Sequence, residues 1–299
     1  MRPRRSVARV RPDASLDEAD VAASYPRALV SEPPRDRQWP AETVAEAIPS
    51  GGVNLNALLY VAAGSGPHPC VLLLHGLPGN EQNVDCAQSM RRAGWNVLTI
   101  HYRGSWGGPG SFSFGHCLDD AAAALEWLQR EGRGGERRID PDRIVLVGHS
   151  MGGFVAAHVA ASHPDVRGVA LLSGVDLGEA FGRGDRSDVG AIDSNVGVSA
   201  GLHILAGTSP DALAREARDH ASEWSLASYA AALVSRPVLL ISSDDGLAQG
   251  SDSLADTIEC RGGTSLGRTH LADDHSYSNT RVALQTRLLD WLATFERRD

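Results

Sequence analysis

The sequence contains no lysine, and all 28 of its basic residues are arginine. That excludes Schiff-base chemistry and a lysine general base. Against 37 acidic residues the arginines leave a net charge of -9. A phosphate-binding surface needs a basic excess or at least a basic stripe, so nucleic acid is not expected as a partner. Cysteine is scarce as well. Cys70, Cys86, Cys117 and Cys260 form no CxxC pair and have no metal-ligand spacing. They read as free thiols, with room for one disulfide if the protein is exported. His101, His116 and Cys117 likewise lack a fixed ligand spacing, so no metal is expected. Long apolar runs are missing too. The N-terminal stretch "MRPRRSVARVRPDASLDEADVAASYP" is basic at its front but lacks the apolar core of a signal peptide. Nothing later approaches the roughly 18–20 apolar residues of a membrane span. These absences predict a cytoplasmic protein without a membrane partner.

What is present is an alternation. Residues 1–41, rich in Arg, Pro, Asp and Glu and without a period, read as an extension, part tail and part wrapping segment. Two strand-like runs joined by Ser-Gly-Gly follow, over 42–48 and 53–63. From residue 70 onward, apolar runs alternate with helical spacing. Strands are predicted over 70–76, 95–102, 143–149, 166–174 and 236–243, and helices over 81–93, 117–130, 151–163, 249–261 and 280–298. Such βαβ units with right-handed crossovers make a mostly parallel twisted sheet with helices on both faces. The prediction is a single α/β domain over 42–299. Residues 178–235 break the rhythm with the loop "GRGDRSDVGA" and a weakly helical stretch, and read as a small cap over the carboxyl ends of the strands.

One stretch stands out within this pattern. In "LVGHSMGGFVAAHVA", residues 146–160, a serine sits between Gly148 and Gly152 at the seam of a predicted strand and a predicted helix. This fits G-x-S-x-G, in the context that gives the motif its meaning. A nucleophile on a strained strand-to-helix turn brings the residues two positions away against the backbone, so only small residues fit there. An N-capping serine in a tight turn is the plainer alternative.

A serine hydroxyl needs a base to take its proton and an acid to orient that base. "RPVLLISSDDGLA" offers two acids at the end of a late strand. Asp245 is preferred over Asp244, because Asp-Gly-Leu opens the loop into the next helix whereas Asp244 still belongs to the strand end. "HLADDHSYS" offers His270 and His275. His275 is preferred, since it lies in the loop between the last strand and the last helix. A tetrahedral intermediate also needs backbone donors. "HGLPG", 75–79, follows the first buried strand, and because Pro78 has no N–H the donors should be Leu77 and Met151. His75 reads as a structural residue under that loop. Trp106 and Phe112, in a glycine-rich loop on the same rim, are candidates for the substrate pocket.

Taken together, HG-x-x-G, G-x-S-x-G, then Asp and His in that order over roughly residues 42–299 resemble an α/β-hydrolase. The similarity is strongest to the peptidase and esterase branch near the catalytic domain of the prolyl oligopeptidase family. "HYRGSWGGPGSF" (101–112), "DPDRIVLVGHSMGG" (140–153) and "DHSYSNTR" (274–281) resemble segments of that branch. Two departures stand out. Residues 1–41 are too few for that family's propeller, so the size exclusion that restricts those enzymes to oligopeptides is not expected. Gln249 stands where a proline often follows the acid.

The expected activity is cleavage of a carboxylic ester through an acyl-enzyme, without a cofactor, on a small-molecule ester or short peptide. An aminopeptidase or acyl-peptide hydrolase is the near alternative. A non-catalytic ligand-binding member of the fold and a metallohydrolase are rivals of other classes.

Overall fold

A computed structural model of the chain describes residues 25–135, 137–182 and 199–296. The eight strands among the described residues are β1 (Glu42–Ser50), β2 (Val53–Val61), β3 (His68–Leu74), β4 (Asn96–Ile100), β5 (Ile139–His149), β6 (Val169–Leu172), β7 (Val238–Ser242) and β8 (Leu266–His270). The helices are α1 (Arg27–Val30), α2 (Val84–Arg92), α3 (Phe114–Gly134), α4 (Met151–Ser162), α5 (Leu177–Gly182), α6 (Pro210–Asp219), α7 (Ala230–Leu233), α8 (Ala248–Cys260) and α9 (Arg281–Leu292).

All the strands form one sheet in the order β1-β2-β4-β3-β5-β6-β7-β8. β1, β2 and β4 pair antiparallel, and every pair from β4 to β8 is parallel. The β1–β2 hairpin turns on Gly51 and Gly52, both at positive φ (54° and 82°). A two-residue hairpin turn of this kind favours glycine at both places.

Strand alternation decides which helices cover which face. Leu72, Leu74, Leu146, Leu171 and Leu240 point into one core with Ala121, Leu125 and Leu128 of α3 and Phe154 and Val155 of α4. Val71, Leu73, Val145, Val147, Leu172 and Ile241 point into the other, with Met90 of α2 and Leu284, Leu288 and Trp291 of α9. The continuous apolar runs in the sequence follow from this, because a strand covered on both sides needs no polar face. The result is the mostly parallel sheet with helices on both faces expected from the alternation.

Element ends differ from the expected ones where local polar groups intervene. α2 begins at Val84 rather than residue 81, because Asn83 is left-handed (φ 55°) and its N–H is taken by the Glu81 carboxylate at 2.6 Å. α3 starts earlier than expected, at Phe114, capped by Ser113, whose side chain accepts the His116 N–H. Ordered structure also precedes the first strand. The four-residue α1 is too short to show a period in sequence, yet it packs Ala28 and Leu29 on the second core. Its Ala28 carbonyl accepts Arg92 Nε at 2.6 Å.

Most of the "GRGDRSDVGA" loop lies outside the described residues, as do residues 1–24. Residues 199–235 return along the strands' carboxyl ends. Gly201 lies so close to Pro78 that a Cβ there would come within 2.4 Å of the ring Cγ. Ala206 exchanges backbone hydrogen bonds with Gly104 and Phe112 at 2.7 and 2.8 Å. Glu216 of α6 accepts the N–H groups of Phe114 and Gly115 at 2.9 Å each, a carboxylate at the positive end of α3. No helix among the described residues is long and apolar enough to cross a membrane.

Candidate active site

β5 runs straight into α4 with Ser150 as the joint, at φ 57° and ψ -124°. A non-glycine residue in such a conformation is held there by its surroundings. The surroundings explain the glycines. A Cβ on Gly148 would lie 1.9 Å from the Gly152 carbonyl oxygen, and one on Gly152 would lie 2.3 Å from the oxygen of Leu74. Gly76 is as confined, with its hypothetical Cβ 2.8 Å from that of Ser150. The Ser150 hydroxyl caps nothing, so the plainer capping alternative does not describe it. Its backbone is pinned instead, donating to Leu172 O at 2.9 Å and accepting from Gly153 and Val175.

The two candidate acids go separate ways at the end of β7. Asp244 turns outward and meets His270 Nε2 at 3.0 Å, with both side chains more than half exposed. Asp245 turns inward, its side chain 1% exposed, and its Oδ2 accepts from His275 Nδ1 at 2.7 Å. Asp245 also accepts the Leu247 N–H and the Ser243 hydroxyl at 2.8 and 2.9 Å. Burial alone would raise the Asp245 pKa, but these bonds to its anionic form, led by the one from His275, hold it down at about 2. With the Nδ1 proton directed at Asp245, Nε2 of His275 is the basic nitrogen. It is buried and has no hydrogen-bond partner among the described residues. His275 and Ser150 line the same small cleft of about 70 Å³, together with residues 76–79 of the "HGLPG" turn and the Asn80 and Glu81 that follow it.

Of the two candidate backbone donors, Leu77 lines this cleft and Met151 does not. Met151 is the first residue of α4, where an N–H has no partner within the helix. Leu77 lines the cleft, and its N–H donates to no described group. Beneath them His75 is buried, with Nδ1 donating to Gly76 O at 2.8 Å. Burial, with a smaller push from His101, lowers its pKa to about 4, so it is neutral packing under the loop. Trp106 lies over the same loop, 42% exposed, with its indole N–H on Pro78 O at 3.0 Å. Phe112 sits elsewhere. It is 2% exposed, packed edge-on to Phe114 in the first core, and does not line the cleft around Ser150.

Several supporting residues carry no signal in the sequence. His149 donates from Nε2 to the carbonyl oxygen of His275 at 2.8 Å. Burial, aided by His275, lowers its pKa to about 3 and keeps it neutral. Behind Asp245 lies a chain of buried hydroxyls: Ser243 meets Ser173 at 2.8 Å, and Ser173 meets Tyr277 at 2.8 Å. Tyr277 then donates to Ile241 O at 2.8 Å. Ser173 and Tyr277 are themselves at positive φ, 44° and 56°. The loop bearing His275 is gathered by Asp273, which accepts from Asp274 N, Asn279 N, Asn279 Nδ2 and Thr280 Oγ1, each at 2.8 Å. "Ser" at a strand end and "Tyr" two residues past a histidine are ordinary in sequence. Only the crossing of three strand ends makes them neighbours.

Among the described residues no cluster of histidine, cysteine and carboxylate could hold a metal. Cys70, Cys86 and Cys117 are buried free thiols and Cys260 is an exposed one.

Comparison with known proteins gives the same fold. The family described as "alpha/beta hydrolase fold" matches residues 69–205. An uncharacterized protein of Mycobacterium tuberculosis is 30% identical over 135 residues, 42% of this chain and 46% of the relative. The chain thus spans about half the length of the curated relatives it matches. Among solved structures, a thermostable carboxylesterase cloned from a metagenomic library superposes with a TM-score of 0.61 at 21% identity, covering 86% of this chain and 89% of that one. An acylaminoacyl peptidase of Pyrococcus horikoshii superposes with a TM-score of 0.61 at 18% identity, covering 86% of this chain and 42% of that one.

Proposed function

We propose that this chain, which is similar to α/β-hydrolases that include esterases and peptidases, is a serine hydrolase that cleaves carboxylic esters. One observation carries the reading. Ser150, held in a strained turn, shares a cleft with a histidine whose other nitrogen is engaged by a buried carboxylate.

In this mechanism His275 Nε2 takes the Ser150 proton as Oγ attacks the substrate carbonyl. Asp245 keeps the imidazole in the tautomer that leaves Nε2 free and offsets the charge it gains. The N–H groups of Leu77 and Met151 stabilise the oxyanion. His275 then returns the proton to the leaving alcohol, and water enters by the same route to release the acid from Ser150. A cofactor has no part in these steps. The substrate class is a small ester or a short acylated peptide, and an ester is favoured because the comparisons include a carboxylesterase covered over 89% of its length.

Two measurements test this. A fluorophosphonate probe should label Ser150 in folded protein, and no labelling would favour a non-catalytic binding role. A panel of aryl esters and aminoacyl anilides should show turnover of the esters, and activity confined to the anilides would make the protein a peptidase.

A further inference from the structure

The cleft beside Ser150 carries an uneven charge. Of the residues that line it, Glu81 is the one carboxylate, and no arginine joins it. Glu81 follows the oxyanion turn directly. Its Oε1 accepts the Asn83 N–H at 2.6 Å, which fixes the carboxylate in place, and its Oε2 accepts no hydrogen bond from the described residues.

The nearest cation does not cancel this charge. Arg281 Nη2 lies 3.9 Å from Glu81 Oε1. That guanidinium is already committed, however: Nε donates to Asp85 Oδ2 at 2.9 Å, Nη2 donates to Asp85 Oδ1, and Nη1 donates to Ser276 O at 2.9 Å. Asp85 neutralises Arg281 and leaves the charge of Glu81 in excess. The buried histidines beside the cleft, His75 and His149, do not compensate either, because burial keeps both neutral.

Arg281 also shows on which side of the cleft Glu81 lies. The same guanidinium grips the carbonyl of Ser276 and faces Glu81, so the carboxylate stands beside the wall formed by His275 and Ser276. His275 is the group that hands a proton to the departing alcohol, so this is the leaving-group side.

We propose that the site, on the serine-hydrolase reading given above, selects esters whose leaving group carries a positive charge, and that Glu81 is the residue that recognises it. An exposed or half-buried carboxylate attracts a cation modestly, by roughly two- to five-fold in affinity, and salt weakens the attraction.

The test uses two isosteres, 2-(trimethylammonio)ethyl acetate and 3,3-dimethylbutyl acetate, which differ by a charged nitrogen in place of carbon. The quantity read is the ratio of their kcat/KM values within each enzyme, which removes any general effect of a substitution on turnover. In the wild type the ratio should favour the cation and fall as salt is raised. In Glu81→Gln it should drop by roughly two- to five-fold, and in Glu81→Lys it should drop further. A ratio that is the same in all three proteins overturns the proposal while leaving the hydrolase reading intact. So does a cation preference found only when the charge is moved to the acyl side. Absence of turnover of either ester, with no labelling of Ser150, removes both.

Discussion

His149 and His275 are joined by a hydrogen bond from the imidazole of the first to the backbone carbonyl of the second, 2.8 Å long, with the rings 4.8 Å apart. The residue just before Ser150 thus holds the loop that carries His275. Because His149 is buried and neutral, the contact is a tether and not an ion pair.

Replacing His149 by Phe keeps an aromatic ring but deletes the donor. It leaves a buried carbonyl without its partner, which costs about 1–3 kcal/mol. If the loop relaxes by that amount, kcat on an aryl ester should fall about ten-fold or more, while fluorophosphonate labelling of Ser150 slows in parallel. Unchanged kcat would show that the loop is held by Asp273 and Arg281 alone.

The two acids at the end of β7 differ in burial and partner, and their substitution should separate them. Asp245→Asn removes the charge that orients His275 and should lower kcat by about 10⁴, as removal of an orienting carboxylate does in serine proteases. Asp244→Asn touches an exposed pair with His270 and should stay within about two-fold. Steady-state kinetics of both variants decide the matter. A severe loss in the Asp244 variant alone would contradict the assignment.

Gly152→Ala places a methyl against the carbonyl oxygens of Leu74 and His75, 2.3 and 2.6 Å away. Both neighbours are backbone, so no side chain can move aside. The variant should unfold at markedly lower denaturant concentration, by about 3 kcal/mol or more, or fail to accumulate as folded protein. By comparison Ser150→Ala should leave the unfolding midpoint nearly unchanged and reduce turnover by several orders of magnitude.

Acid should destabilise the fold in two windows. His75 and His149 have folded-state pKa values of about 4 and about 3, below the ordinary histidine value. Between about pH 6.5 and those values the unfolded chain binds protons that the folded chain refuses. Stability is therefore full above pH 6.5 and falls as pH drops, by up to about 1.4 kcal/mol per pH unit for each histidine. Asp245 acts lower. Its folded pKa of about 2 lies below its unfolded value, so its contribution is present above about pH 4 and is lost as pH falls through 2. Denaturant titrations from pH 7 to 4 should show the first slope, and His75→Asn should make it shallower.

The fold was legible because its signals are local and repeated. Alternating apolar runs and helical spacing place β3 to β7, and a strand buried on both faces cannot hide its composition. The elbow was legible for the same reason. Gly148 and Gly152 flank the serine within five residues, and the steric cause acts across that same short span. The start of α2 was misplaced because a left-handed Asn83 and a carboxylate two residues earlier end the loop without changing the apolar pattern. Phe112 was placed on the rim by its neighbours in sequence, yet its ring turns inward to Phe114.

By itself, then, the sequence determined the sheet, the strained turn that carries Ser150, and a short list of acids and histidines that could serve it, since each of these depends on neighbours a few residues away. Only the tertiary structure decided which acid faces which histidine, that a second imidazole and three buried hydroxyls stand behind them, and that the charge of Glu81 is left unbalanced. Those relationships join residues from 26 to about 200 positions apart, and they exist only because the ends of parallel strands converge on one rim.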